Sequence, residues 1–378
     1  MEHLGGINLN KLFINIIIIL FLAIMFLFVI PQMGSAIIAM ILLNMIIVFI
    51  LPFKDLFSKI LGFLYSLLLL LFVQGNWIEF EFFLQAYKLL IDNTDLLHWF
   101  SEGHVHAIRL LIAYPGYIIS KVFAIELNIG FSYYCVTMFT VMYLIIIDTV
   151  LKFKKSRLRY DSETKMFFAL IPFLILPFIM NGRLIAAFLG FSILIHLFVA
   201  LFHGQSRMGS IKKFLIGCLG LVLTMVSSGT MSVALVYCLF SVYVLNYKQI
   251  KKIKFIKKAL LTLVVISPVI YIVLSYFWQM LIKNINFFGG GIEGFINMFS
   301  HGAGRLLILN GPGLIITLIA GAVFVLLNMV YLRNAIITKY RYIPILAGIN
   351  ISLYGLLFGF STGLMMIPPL ILLILLSI

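Results

Sequence analysis

The sequence predicts an all-α protein: a polytopic transmembrane helical bundle of about twelve spans plus one re-entrant or interfacial segment. Three observations predict it. The 378 residues are 63% hydrophobic and only 10% charged, with a mean hydropathy of +1.19, whereas soluble domains run roughly 45–50% apolar and about 25% charged. The apolar residues gather into runs of the length that crosses a bilayer, roughly 17–25 residues per helix. The basic residues fall in short loops between those runs, as the positive-inside bias requires. A β-barrel is excluded because its strands alternate apolar and polar positions, and a run such as Ile16-Ile17-Ile18-Ile19-Leu20-Phe21-Leu22 does not. The chain 1–378 reads as a single integral membrane domain, with outer loops at about 75–128 and 280–312.

The first two spans, about 12–30 and 34–53, meet at Pro31-Gln32, and Lys54 and Lys59 put the far end in the cytoplasm. The first run is long enough to stay as a span, and no cleavable signal peptide is read there. A span at about 60–74 leads out to residues 75–106, which carry Glu79, Glu81, Asp92, Asp95 and Glu102 against a single Lys88. The next stretch, about 107–126, holds Arg109, Pro115, Gly116 and Lys121. The span at about 129–150 ends in a loop with Lys152, Lys154, Lys155, Arg157, Arg159 and Lys165, which assigns that loop to the cytoplasm. With 75–106 outside, 107–126 must be re-entrant or lie along the outer interface, where broken backbone lines a cavity. With the N-terminus outside instead, 107–126 spans.

Spans at about 166–181 and 184–202 form a hairpin with Arg183 at its outer tip, and Arg207, Lys212 and Lys213 mark the return to the cytoplasm. A second hairpin, about 214–227 and 231–247, turns outside at Ser227-Ser228-Gly229-Thr230. Six lysines between 248 and 258 follow it without an acid. A span at about 259–279 leads to the outer loop 280–312, where Gly289-Gly290-Gly291 permits many backbone conformations and suggests a lid. Spans at about 313–331, 343–360 and 364–378 close the chain, with Arg333, Lys339 and Arg341 inside. No internal repeat of the transporter kind is evident.

The net charge of +15 does not indicate nucleic-acid binding, because 20 of the 27 Lys and Arg lie in the inferred cytoplasmic loops. Cys135, Cys218 and Cys238 lie in apolar runs without metal spacing and read as inert packing residues. No zinc motif and no phosphate-binding Gly-x-x-x-x-Gly-Lys loop is present, so no metal and no cofactor are expected.

Arg109, Arg183 and Arg305 run against the charge bias, since all three fall on the inferred outer side. A guanidinium offers a planar fork that fits phosphate oxygens, and ionisable residues at membrane depth are functional candidates. The bland alternative for each is snorkelling or holding down a loop. Near them lie Asp92, Asp95, Glu102, His104, His106 and His301, the candidate proton-transfer groups. A glycosyl transfer needs a base for the acceptor hydroxyl and a cation for a departing pyrophosphate. His98, His196 and His203 read as packing or interface residues.

The layout resembles the EpsG and Wzy-type polysaccharide polymerases of bacteria over roughly residues 75–245. Asn181-Gly182-Arg183-Leu184-Ile185-Ala186-Ala187 looks like the family's arginine near alanines at a helix start. Tyr114-Pro115-Gly116-Tyr117 is similar to its Glu-Pro-Gly-aromatic motif, with tyrosine in place of glutamate. Trp77-Ile78-Glu79 through Tyr87 resembles the preceding outer loop, and Ser227-Ser228-Gly229-Thr230-Met231-Ser232 the later polar break, without its usual histidine. Glu102 is the nearby substitute for the missing glutamate.

The resemblance implies an enzyme of the bacterial cytoplasmic membrane that joins polyprenyl-pyrophosphate-linked repeat units at the outer face. It further implies membrane lipid as its surroundings, and a flippase and a chain-length regulator of the same pathway as partners. Arg109 and Arg183 would hold the donor pyrophosphate and Arg305 would close over the glycan. Tyr114, Tyr117 and His301 would line the substrate site, and the base would come from Asp92, Asp95, Glu102, His104 and His106. Three other readings are a flippase of the same lipid-linked unit, a polyprenyl-phosphate-dependent transferase of single sugars, and a structural or assembly subunit with no active site.

Overall fold

A computed structural model describes residues 34–51, 56–72, 107–153, 182–202, 209–226, 228–246 and 253–299, together with positions 319 and 323. Among these residues every regular element is a helix. In chain order they are α1 (Ser35–Ile50), α2 (Leu56–Phe72), α3 (Ala107–Phe123), α4 (Leu127–Phe153), α5 (Gly182–Phe202), α6 (Ser210–Thr224), α7 (Ser228–Asn246), α8 (Ile253–Phe287) and α9 (Gly291–Phe299). Two helical stretches, Leu127–Thr149 and Leu184–Phe202, are long and apolar enough to cross a membrane. The spans expected near 12–30, 166–181, 343–360 and 364–378, and that near 313–331 apart from positions 319 and 323, lie outside the described residues.

Apolarity extends to the exposed faces. Leu42, Leu43, Ile46 and Phe49 of α1 are exposed, as are Phe214, Leu215 and Leu219 of α6. A helix apolar on every side belongs in a core or in lipid. Hydroxyls within the bundle turn back onto their own helices: Ser132 donates to the Asn128 carbonyl at 2.8 Å and Thr140 to that of Val136 at 2.8 Å. A helix without water nearby satisfies its small polar side chains in this way.

α4 and α5 form the centre. α4 packs against α1, α2, α3 and α5, and α5 packs against α4, α6 and α7. Tyr65 of α2 meets Tyr143 of α4 with ring centroids 5.3 Å apart, and Tyr237 of α7 lies against Phe191 and Phe198 of α5. The α5–α6 seam needs glycine. A Cβ on Gly190 would lie 2.5 Å from the Gly220 carbonyl oxygen and 2.8 Å from the Leu223 Cβ. Gly220 in turn lies under Leu194, and Gly217 faces Leu197. This order makes the two helices antiparallel, so α5 begins where α6 ends.

Two segments differ from their sequence-based expectation. Residues 107–123 form an unbroken helix through Pro115, where a broken segment was expected. Proline removes one backbone donor and crowds the preceding turn, but membrane bundles tolerate it when neighbours take up the freed group. α3 then turns tightly at Ala124, φ 51°, where the Ile125 amide bonds the Ser120 carbonyl at 3.1 Å. It runs antiparallel to α4, with Gly116 against the Phe131 ring and Gly130 against the Ser120 hydroxyl. At 1.5 Å per residue its 17 residues reach about 25 Å, somewhat short of a hydrocarbon core of roughly 30 Å.

The second difference is at the glycine run. α8 continues for 35 residues to Phe287, and α9 follows at once, so residues 280–299 are helical apart from a turn. Gly289, Gly290 and Gly291 all have positive φ, and the Gly290 amide bonds the Ile285 carbonyl at 2.9 Å. The glycines serve a helix-terminating turn of the kind that left-handed residues close, where free loop backbone was expected.

Because the Gly190 seam has no room for a side chain, Gly190→Val should destabilise the protein by about 1–3 kcal/mol, the usual cost of overpacking. Unfolding in detergent measures it, and a change under about 0.5 kcal/mol, the level of an ordinary surface substitution, would contradict the seam.

Candidate functional site

The site is built at the end of α6. The last carbonyls of a helix have no partner within it, and apolar surroundings supply no water to replace one. Three side chains meet this demand. The Thr224 hydroxyl donates back to the Leu221 carbonyl at 2.7 Å, and Thr230 of α7 donates to the Thr224 carbonyl at 2.6 Å. Arg109 of α3 donates through Nε to the Val226 carbonyl at 2.6 Å, across 117 residues of sequence. A cation at a helix C-terminus also gains from the helix dipole, so capping α6 is a sufficient structural role for Arg109.

The same contact brings α3 to the turn. Arg109 is the third residue of α3, so the Val226 bond sets the start of α3 beside the end of α6 and the start of α7. The phenol of Tyr276, on α8, bonds the backbone amide of Ile108, and the Arg109 charge lies close to it. First-turn amides are unpaired donors, and Tyr276 occupies one of them.

Arg183 comes to this end by its backbone. It is the second residue of α5, seven residues before Gly190, or about 10 Å along the axis. Gly190 lies beside Gly220, Leu223 and Thr224, so the first turn of α5 lies at the end of the bundle where α6 stops. The start of α3 therefore meets the turn between α6 and α7, and the first turn of α5 lies towards the same end of α6. A helix start presents backbone N–H groups and a positive pole, both of which favour an anion.

The tyrosines of the Pro-Gly motif lie further along α3. Tyr114 is exposed, and its ring centroid is 5.8 Å from that of Tyr117. Lys121 places its ammonium 5.6 Å from the Tyr117 centroid, within cation–π range. Tyr117 stands eight residues beyond Arg109, about 12 Å along the helix, so the pair forms an aromatic step beside the arginine instead of enclosing it. Asp92, Asp95, Glu102, His104, His106, His301 and Arg305 lie outside the described residues. Tyr276 and the Val226 carbonyl were not legible in the sequence, since nothing local links 109 to 226 or 108 to 276. Among the described residues no group of three or more His, Cys, Asp or Glu could hold a metal ion.

The described part of the chain thus defines an all-helical protein with two helices able to cross a membrane. No family model, curated protein or solved structure matches the chain.

Loss of the Arg109 charge should cost stability even without substrate. Arg109→Gln is expected to destabilise by about 1.5–3 kcal/mol, the range for a hydrogen bond from a charged group, and Tyr276→Phe by about 1 kcal/mol. The double variant should lose less than the sum, because both side chains fix the start of α3. Unfolding in detergent measures all three, and strict additivity would contradict a shared role.

Proposed function

We propose that this chain is a polysaccharide polymerase of the bacterial cytoplasmic membrane. It would join polyprenyl-pyrophosphate-linked oligosaccharide repeat units at the outer face. The observation that carries the reading is the bond of Arg109 to the turn between α6 and α7, at the end of α6 towards which α5, bearing Arg183, begins. A diphosphate needs several donors of positive potential held in fixed geometry. Two arginines and helix N-termini at one end of a bundle meet that requirement, and the Nε bond to Val226 orients one guanidinium in advance. The donor is the growing chain on its lipid pyrophosphate. The acceptor hydroxyl attacks the anomeric carbon, its proton passes to a base, and the bond to the lipid pyrophosphate breaks. The base is assigned to the group Asp92, Asp95, Glu102, His104 and His106. Arg305 and His301 are assigned to the outer loop that covers the glycan. Tyr114 offers an exposed ring to a sugar, backed by the tilted ring of Tyr117.

A flippase of the same lipid-linked unit is the second reading. The observation favouring it is the contact of Asp148 with His196 between two helices, since ionisable groups within spans mark transport pathways. The two readings separate in cells carrying Arg183→Ala. The polymerase reading expects single complete repeat units displayed outside and a long-chain ladder reduced at least tenfold, about 1.4 kcal/mol of lost transition-state binding. Complete units trapped inside would indicate the flippase, and units lacking one sugar a single-sugar transferase. An unchanged ladder with normal protein level would reject the role of Arg183.

A further inference from the structure

An acid and a base from two central helices meet away from the arginine end. His196 of α5 sets Nε2 3.4 Å from Oδ2 of Asp148 on α4, with the two side chains 14% and 18% exposed. On its other side, Nδ1 of His196 lies 2.9 Å from the Thr149 hydroxyl. That hydroxyl also donates to the Ile145 carbonyl at 2.6 Å.

Counting protons decides the state of the ring. A hydroxyl has a single proton, and the proton of Thr149 goes to Ile145. Nδ1 must therefore be the donor to Thr149. A neutral imidazole then has a bare lone pair on Nε2, and that lone pair faces a carboxylate oxygen. Two acceptors turned towards each other with little water are repulsive. One added proton on Nε2 turns the repulsion into a charge-assisted contact.

We propose that Asp148, His196 and Thr149 form a proton-binding site between α4 and α5, holding one proton as an imidazolium–carboxylate pair. The ligand is the proton itself, and Thr149 orients the ring that takes it. The site does not work as a hydrolytic triad. Thr149 is buried and its proton is committed to Ile145, so no substrate reaches a nucleophile there.

The Lys59 ammonium of α2 is turned to the Phe49 carbonyl at 2.8 Å. α1 carries no titratable residue, and Lys152 follows Asp148 one turn along α4. The other titratable groups on the described helices packed against α4 and α5 are Tyr65 of α2, Arg109, Tyr114, Tyr117 and Lys121 of α3, Lys212, Lys213 and Cys218 of α6, and Tyr237, Cys238 and Tyr243 of α7, while α4 itself adds Tyr133, Tyr134, Cys135 and Tyr143. The proposal is independent of the polymerase reading.

The test is nitrogen NMR of the full chain, labelled at histidine and held in lipid nanodiscs at neutral pH. The His196 signals are identified by their loss in His196→Gln, or in His196→Phe if the glutamine variant does not fold. The expected wild-type result is both ring nitrogens of His196 protonated. In Asp148→Asn, Nε2 should lose its proton while Nδ1 keeps its own. A wild-type ring with a single protonated nitrogen would overturn the proposal. So would a doubly protonated ring that Asp148→Asn leaves unchanged, since the carboxylate would then not be what holds the proton.

Discussion

The carbonyls at the end of α6 must find donors where water is scarce, and the arginine end of the bundle follows from that demand. Thr230 and Arg109 supply the donors from two other helices. In doing so they hold the start of α7 and the start of α3 against the same turn. Leaving such a carbonyl unpaired costs roughly 1–3 kcal/mol, a large share of the marginal stability of a protein. The glycine seam between α5 and α6 adds the third helix start, because antiparallel packing at Gly190 brings the beginning of α5 to the same end. One local requirement thus holds the starts of α3 and α7 to a single turn.

That gathering joins packing to chemistry. In the proposed polymerase, an anion site built from helix starts would need no reorganisation when its ligand arrives. A guanidinium already bonded to a carbonyl is fixed in plane, and Tyr276 fixes the backbone that carries it. The proton site of Asp148 and His196 depends on a different contact, between the C-terminal parts of α4 and α5. Both sites therefore involve α5, one at its first turn and one near its last.

Much of the helical layout was legible because apolar run length dictates it. The runs read as 34–53, 129–150, 184–202 and 231–247 correspond to α1, α4, α5 and α7 to within a few residues. α8 overshot its run at both ends. Lys254, Lys257 and Lys258 lie in its first turns, and Lys283 and Asn284 near its last. Lysine is a good helix former, so polar residues that end an apolar run need not end the helix. Pro115 misled in the same direction, since the helix continues past it. In the site, the role of Arg183 as an early residue of a helix was readable from the Asn-Gly-Arg break. The Arg109–Val226 bond was not readable, because long-range partners leave no local pattern. Asp148 stood out as a charge within a span, while His196 read as a packing residue until its ring was seen between Asp148 and Thr149.

The most direct test of the account is made with the purified chain in liposomes, supplied with a polyprenyl-pyrophosphate-linked repeat unit. The quantity measured is free polyprenyl pyrophosphate released in step with a doubled glycan. The account predicts equal amounts of the two without added nucleotide, and loss of both with Arg183→Ala. Absence of both products from well-folded wild-type protein, or their full retention in the variant, would contradict it.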